Sequence, residues 1–321
     1  MATPIWKDYT VDLGTTDGQT FTIYDAATSS AIYTGKAYIR PGETHAFVKV
    51  NDICADYMAQ KFSVDFAALQ GDNGSDTNIP AARTFLLQVG DTVMDSWTFY
   101  LNYEYKDDAV DKQGSTVNVP ITGRLQKGMF GPLTCLLITN YKVITINTGA
   151  GGMTVNVGRA PFNYYHKVPA SATRLSLSIG NGPSITYAVT EKCHRYALYY
   201  VNALGGLDVL VMEGLYRIKD EIERSTYKKT YDNGGIEPGE VNYLNGITRT
   251  WELHTGWLTD AEAGRMGHLL GSTLVYLCDC DDNNRLYPVI ISNREDPHKT
   301  HKDGMVSYQV DVRLAQDMIR R

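Results

Sequence analysis

The chain has little cysteine and no paired arrangement of it: five residues, at positions 54, 135, 193, 278 and 280. An odd, scattered set does not make a disulfide framework, so reduced thiols are expected. Long apolar runs are missing too. No segment approaches the ~20 continuous apolar residues that span a bilayer, which leads us to expect a soluble protein. The first residues, Met1-Ala2-Thr3-Pro4-Ile5-Trp6-Lys7-Asp8, lack the basic-then-apolar order of a secretory leader. The expectation is a product that stays in the cytoplasm where it is made, or one whose leader has been left off. Excess positive charge is absent as well. Thirty Lys and Arg stand against 36 Asp and Glu, giving a net charge of -6 and a pI near 5.6. That balance argues against nucleic-acid binding as the main task, which calls for a basic face that displaces counterions from phosphates. A weakly negative wall past which DNA slides without sticking is compatible with it.

Catalytic signatures are equally scarce. The seven histidines, at 45, 166, 194, 254, 268, 298 and 301, make no His-Glu-x-x-His helix and no related zinc spacing. His298 and His301 share a charged loop with Asp296 and Asp303, which reads as solvated, because a metal needs converging ligands and a supporting shell. Cys278 and Cys280 fall on one side of a strand and read as small core residues. Asp279-x-Asp281-x-Asn283 opens like a calcium loop. Asn284 then replaces the turn glycine and Ile290 occupies the bidentate glutamate position, leaving an acidic hairpin tip. Asn147-Thr148-Gly149-Ala150-Gly151-Gly152 lies between two strands and opens no helix, so it reads as a hairpin turn and not a phosphate cradle. With no Gly-x-Ser-x-Gly elbow, Walker loop or paired carboxylates, no catalytic, cofactor-binding or metal residue is assigned and a non-enzyme is expected.

What the sequence does carry is sheet. Hydrophobic residues make up 43% and charged residues 21%, which excludes wholesale disorder. Twenty-two tyrosines against eight phenylalanines favour rings with a polar tip, suited to sheets with a wet face or to surfaces that meet a partner. Candidate strands are Phe21 to Tyr24, Ala31 to Ile39, Ala46 to Val50, Lys61 to Phe66 and Thr84 to Val89. Arg40-Pro41-Gly42-Glu43 is a turn, with proline presetting the first corner and glycine the second. Asn51 to Gln60 is a short helix with Asn51 or Asp52 as its cap, and Gly71 to Asp76 a flexible loop. Trp97 to Tyr105 reads as a strand whose aromatics fill a core.

Further strands follow at Leu133 to Thr139, Lys142 to Asn147, Thr154 to Val157, Leu175 to Ile179, Ile185 to Val189, Tyr196 to Val201, Val209 to Glu213 and Tyr216 to Asp220. The charged, Gly-Ser-ended stretch Lys106 to Ser115 suggests a boundary. The expected architecture is mainly β, a multi-domain antiparallel β-sandwich protein. An N-terminal β-sandwich domain spans 1–114, a second β-rich domain 115–194, and a C-terminal sandwich with a short helix at 260–270 spans 195–321.

The last stretch has the most local detail. Trp251 to Leu258 alternates like a half-buried strand, and the even spacing of Trp251 and Trp257 places both in the core. On that reading, Trp257→Ala costs about 3 to 5 kcal/mol. Thr259-Asp260-Ala261-Glu262 is a capping box, followed by Met266, Leu269 and Leu270 on one helical face until Gly271. Leu274, Tyr276 and Cys278 alternate into a strand, Asp281 to Asn284 turns it, Tyr287 to Ile291 returns, and Met305 to Leu314 is a final strand.

This order, with Leu269-Leu270-Gly271-Ser272, Tyr287-Pro288-Val289-Ile290-Ile291 and Tyr308-Gln309-Val310-Asp311-Val312-Arg313-Leu314-Ala315, resembles structural proteins from the tail modules of tailed bacteriophages and prophages of gut bacteria. It looks like the tube-type domain of distal tail proteins. The resemblance implies a non-enzymatic, ring-forming virion component of the tail, distal tail or baseplate, made in the host bacterial cytoplasm and without a cofactor. Its partners would be copies of itself, as a homo-oligomeric ring such as a hexamer or dodecamer, and adjoining tail or neck proteins. DNA would be only passing cargo, and no membrane insertion is implied. Placing this domain last departs from the usual distal-tail order, so a neck or connector ring protein is the alternative. A carbohydrate-binding or adhesin β-sandwich module, stacking tyrosine-rich rings against sugar faces, is the alternative of another class. A hydrolase with dispersed carboxylates is the third.

Overall fold

The computed structural model describes residues 2–4, 8–61, 73–76, 82–100, 117–118, 122–135, 143–156, 162–179, 184–190, 194–202, 207–228, 240–293, 305–315 and 318–320. The fold is mainly β, built from several sheets. Two compact units are present, one of residues 1–191 with 201–208, the other of 192–200 with 209–321. Among the described residues, no helix is long and apolar enough to cross a membrane.

The first part of unit one comprises β1 (Ala2–Pro4), β2 (Thr10–Asp12), β3 (Gln19–Asp25), β4 (Ser30–Ala37), β5 (Phe47–Lys49), α1 (Asn51–Lys61), β6 (Asn73–Asp76), β7 (Ala82–Val89) and β8 (Thr92–Tyr100). Five of these strands form a sheet in the order β1-β8-β7-β3-β4, while β2 and β5 pair separately as an antiparallel ribbon. Alternation sends Phe21, Ile23, Phe85, Leu87, Trp97 and Phe99 inward. Helix α1 adds Cys54 and Met58, one helical turn apart, and the ribbon adds Val11 and Val48. Trp97 and Phe99 therefore fill the core, as expected of their strand. The Cys54 thiol is pushed up to about 12, chiefly by burial.

One charged group lies inside this core. The fully buried Asp25 accepts from the Ala27 amide (3.0 Å) and the Tyr57 hydroxyl (2.9 Å) and pairs with Arg83. Burial raises its carboxyl, yet the Ala27 amide, Tyr57 and Arg83 more than offset this and hold it below the usual carboxylate range. It ties β3, α1 and β7 together.

The rest of unit one comprises β9 (Val117–Asn118), β10 (Thr122–Gln126), β11 (Phe130–Cys135), β12 (Val143–Asn147), β13 (Gly152–Asn156), β14 (Phe162–Lys167), β15 (Arg174–Ile179) and β16 (Ser184–Thr190). One sheet runs β10-β16-β15-β12-β13 and the other β6-β14-β11-β9. The two pack face to face. The buried Tyr187 hydroxyl donates to the Pro132 carbonyl (2.8 Å), and a Cβ at Gly131 would stand 2.5 Å from Leu175 Cδ2. Glycine at 131 lets β11 approach that closely.

The expectation of a flexible loop at Gly71 to Asp76 is corrected: Asn73–Asp76 is a strand paired with β14. Backbone groups make the ladder, so a polar edge strand has no alternation to betray it. The expected strand at Lys61 to Phe66 falls almost wholly outside the described residues, and Lys61 itself closes α1.

Unit two is organised around β17 (Tyr196–Val201), β18 (Leu207–Met212), β19 (Tyr216–Lys228), β20 (Glu240–His254), β21 (Leu258–Thr259), α2 (Asp260–Ala263), α3 (Met266–Leu270), β22 (Val275–Asp279), β23 (Arg285–Ile291), β24 (Met305–Val306), β25 (Gln309–Leu314) and β26 (Met318–Arg320). Its sheet runs β18-β17-β22-β23-β25-β20-β19, with β26 also pairing β20. Leu198, Leu210, Trp251, Leu253, Leu277, Val310 and Val312 form the core, joined by Met266 and Leu269 from α3.

The capping box is present: the Thr259 amide donates to Glu262 Oε2 (2.9 Å) and the Glu262 amide to Thr259 Oγ1 (3.4 Å). The single helix expected at 260–270 is instead two short ones, separated at Gly264 and Arg265. Glycine there weakens the helix, and Arg265 reaches across to the Val209 carbonyl (2.9 Å). The expected final strand is likewise divided into β24 and β25. Between them Tyr308 is buried, its amide donating to Thr255 Oγ1 (3.0 Å).

Trp257 departs most from expectation. Trp251 is buried but Trp257 is 64% exposed. Strand β20 ends at His254, and Gly256 takes φ +73°, so the chain turns before Trp257 and the even spacing no longer fixes its side.

Candidate functional site

The β2–β5 ribbon shows how alternation builds a two-sided element. Val11, Val48 and Val50 point into unit one, and Thr10, Asp12, Phe47 and Lys49 point out. The register sets Asp12 opposite Phe47. Just before β5, the His45 ring stacks on Phe47, with centroids 6.3 Å apart and planes inclined by 20°. His45 Nδ1 lies 2.8 Å from one Asp12 oxygen and 3.0 Å from the other, and Asp12 Oδ1 also accepts the Gly14 amide (2.8 Å). The Gly14 amide first, then His45, hold the Asp12 carboxyl below its ordinary range.

Phe47 is 44% exposed, and its neighbours His45 and Asp12 are similarly open. The result is an aromatic surface with a fixed carboxylate and an imidazole beside it. The turn read from Arg40-Pro41-Gly42-Glu43 precedes it in the chain. Gly42 takes φ +90° and the Glu43 amide donates to the Arg40 carbonyl (3.0 Å), the geometry of a type II turn. Tyr38, more exposed still, leans over Gly18 with its ring 3.5 Å from where a Cβ would stand.

A cleft of about 840 Å³ opens elsewhere in unit one, between the β12–β13 turn and the segment following β14. Lys127, Thr148, Met153, His166, Lys167 and Ser171 are among the residues lining it. The glycine-rich run is a hairpin turn, as its context suggested: Thr148 donates through both amide and hydroxyl to the Gly151 carbonyl (3.0 and 3.1 Å), and Gly149 takes φ +80°. His166 is buried in the wall beside the Tyr164 hydroxyl (3.3 Å), and burial lowers its pKa, so the ring is neutral near pH 7.

The acidic tip in unit two is already engaged. Arg195 spans Asp279 (3.4 and 3.2 Å) and reaches Asp281 (3.5 Å), lying over the rings of Tyr196 and Tyr216. Asp282 accepts from Tyr287 (3.0 Å). The two carboxylates that resembled a calcium loop, Asp279 and Asp281, thus pair with a guanidinium, and the neighbouring Asp282 accepts the hydroxyl. Cys278 is buried and Cys280 partly open, and contact with Cys280 followed by burial raises the Cys278 thiol. Among the described residues no group of His, Cys, Asp and Glu converges as a metal site. His298 and His301 lie outside the described residues.

The sequence reading found the β5 strand and the turn before it but missed the Asp12–His45–Phe47 grouping. Its signal was available: alternation around the buried Val48 and Val50 puts Phe47 on the outer face.

No family model matches the chain, and no curated protein matches it. Among solved structures, it is similar to the Bacteroides ovatus mixed-linkage glucan utilization locus SGBP-B in complex with a mixed-linkage heptasaccharide. The identity is 9% and the TM-score 0.22, covering 100% of this chain and 72% of that one. The expectation of a ring-forming tail, baseplate or neck component is corrected on this comparison, which returns a glucan-utilization protein and not a virion part.

Proposed function

We propose that this is a carbohydrate-binding β-sandwich protein that takes a sugar on the outer face of the β2–β5 ribbon. One observation carries the reading: an exposed Phe47 ring, stacked on His45, stands beside an Asp12 carboxylate that the Gly14 amide and His45 hold in place. A pyranose presents a C–H-rich face that packs on an aromatic ring and hydroxyls that need acceptors at its edge. An ionised carboxylate accepts at about four lone-pair positions. Asp12 therefore retains acceptor capacity beyond the two donors it already meets. Because Val11 and Val48 lock the ribbon to the core, the ring and carboxylate are set before the ligand arrives, which limits the ordering cost of binding.

A glycan array probed with the intact protein tests this, followed by the same array with Phe47→Ala and His45→Ala. The expected result is saturable retention on a defined set of glycans, weakened about tenfold by Phe47→Ala, equivalent to the upper end of what an aromatic stack contributes. Retention of no glycan, or equal retention by the Phe47 variant, would contradict the reading.

A further inference from the structure

We propose that β19 is the surface by which two copies of this chain join, antiparallel and edge to edge, with Asp220 facing its own counterpart across a two-fold axis. Three observations lead there. First, β19 stands at the end of its sheet and pairs only β20 among the described residues. It is long, Tyr216 to Lys228, and nearly every residue is exposed, including Tyr216, Ile218 and Ile222. A long edge strand with apolar side chains on view is a template for another strand.

Second, its charges are sorted. Alternation places Arg217, Lys219, Glu221 and Glu223 on one face, two positive residues followed by two negative. Edge strands that repel pairing use charge of one sign or charge turned inward; this edge instead complements itself when reversed. Facing side chains must leave the same side of the sheet, so a perpendicular two-fold axis passes through a residue and not between two. With Asp220 on the axis, Arg217 meets Glu223, Lys219 meets Glu221, and each contact occurs twice. On the opposite face Ile218 meets Ile222, and Tyr216 meets Arg224, a cation over a ring. Moving the axis to Glu221 leaves Glu221 against itself and Ile218 against Arg224. Moving it to Ile222 puts Glu221 against Glu223. Only the Asp220 register gains on both faces.

Third, the one unfavourable contact in that register is already neutralised. Each Asp220 is held by its own Arg249 through two hydrogen bonds, 2.7 and 2.8 Å. The pairing stops where the strand stops being regular, at the bulge between Ser225 and Thr226.

Sedimentation of the full chain over a concentration series, with charge-reversed variants, decides the matter. The wild type is expected to be a dimer that weakens as salt rises. Glu221→Lys with Glu223→Lys makes the face wholly positive, and Arg217→Glu with Lys219→Glu makes it wholly negative. Each double variant alone is expected to dissociate at least tenfold more readily, while an equimolar mixture of the two recovers the dimer as a mixed pair. Circular dichroism melts verify that both variants are folded. A wild-type chain that stays monomeric, double variants that dimerise like the wild type, or a mixture of folded variants that fails to associate would each overturn the proposal.

Discussion

Trp251 packs into the core of unit two, whereas Trp257, at the same strand parity in the sequence, is turned out to solvent beyond the φ +73° turn at Gly256. The two replacements therefore part company. Trp251→Ala should cost about 3 to 5 kcal/mol, and Trp257→Ala should fall within about 0.5 kcal/mol of the wild type. Urea denaturation of both variants reads the difference. Equal losses would mean that Trp257 is buried after all.

The buried Asp25 makes unit one sensitive to acid. Its folded carboxyl is held below the ordinary value, so its stabilising contribution is present above the unfolded pKa and is lost as pH falls through the folded one. Asp25→Ala strands Arg83 and should cost about 3 to 5 kcal/mol near neutral pH. The cost should shrink in acid, where the wild type has already lost the charge. Thermal melts of both proteins between neutral pH and pH 3 check the sign, and a pH-independent difference would contradict it.

Gly131 tests the sandwich in unit one. A methyl group there meets Leu175 at 2.5 Å, Leu125 at 3.1 Å and Tyr187 at 3.3 Å. Gly131→Ala should overpack that seam and cost about 1 to 3 kcal/mol. Chemical denaturation gives the value, and a neutral substitution would show that the two sheets stand further apart.

The β22–β23 turn makes a gentler prediction. Asn283 and Asn284 both take positive φ, 52° and 59°. Asn tolerates that region and glycine tolerates it better. Asn283→Ala should destabilise by about 1 kcal/mol while Asn283→Gly should not, as thermal melts of the two will show.

Much of the fold was legible because alternation and turn chemistry agree where one face is dry. The turn at Pro41-Gly42, the hairpin at Gly149 and the cap at Thr259 each follow from local chemistry that tertiary contacts do not override. The long β19–β20 arm is read only as far as Asp220, because β19 is exposed on both faces and shows no period, and the start of β20 goes unread with it. Strand β14 escaped for the opposite reason: Tyr164, Tyr165 and His166 are all buried, so no polar face interrupts them. Of the site, the sequence showed the strand carrying Phe47. It could not bring Asp12 to His45, since that contact depends on β2 and β5 pairing across an intervening stretch that holds β3 and β4.

Calorimetric titration of the wild type and Phe47→Ala with the oligosaccharide that the array selects tests the central claim most directly. The account predicts a saturable heat for the wild type and a Kd about tenfold weaker for Phe47→Ala, with both proteins unfolding at the same denaturant concentration. An unchanged Kd in the variant would contradict it.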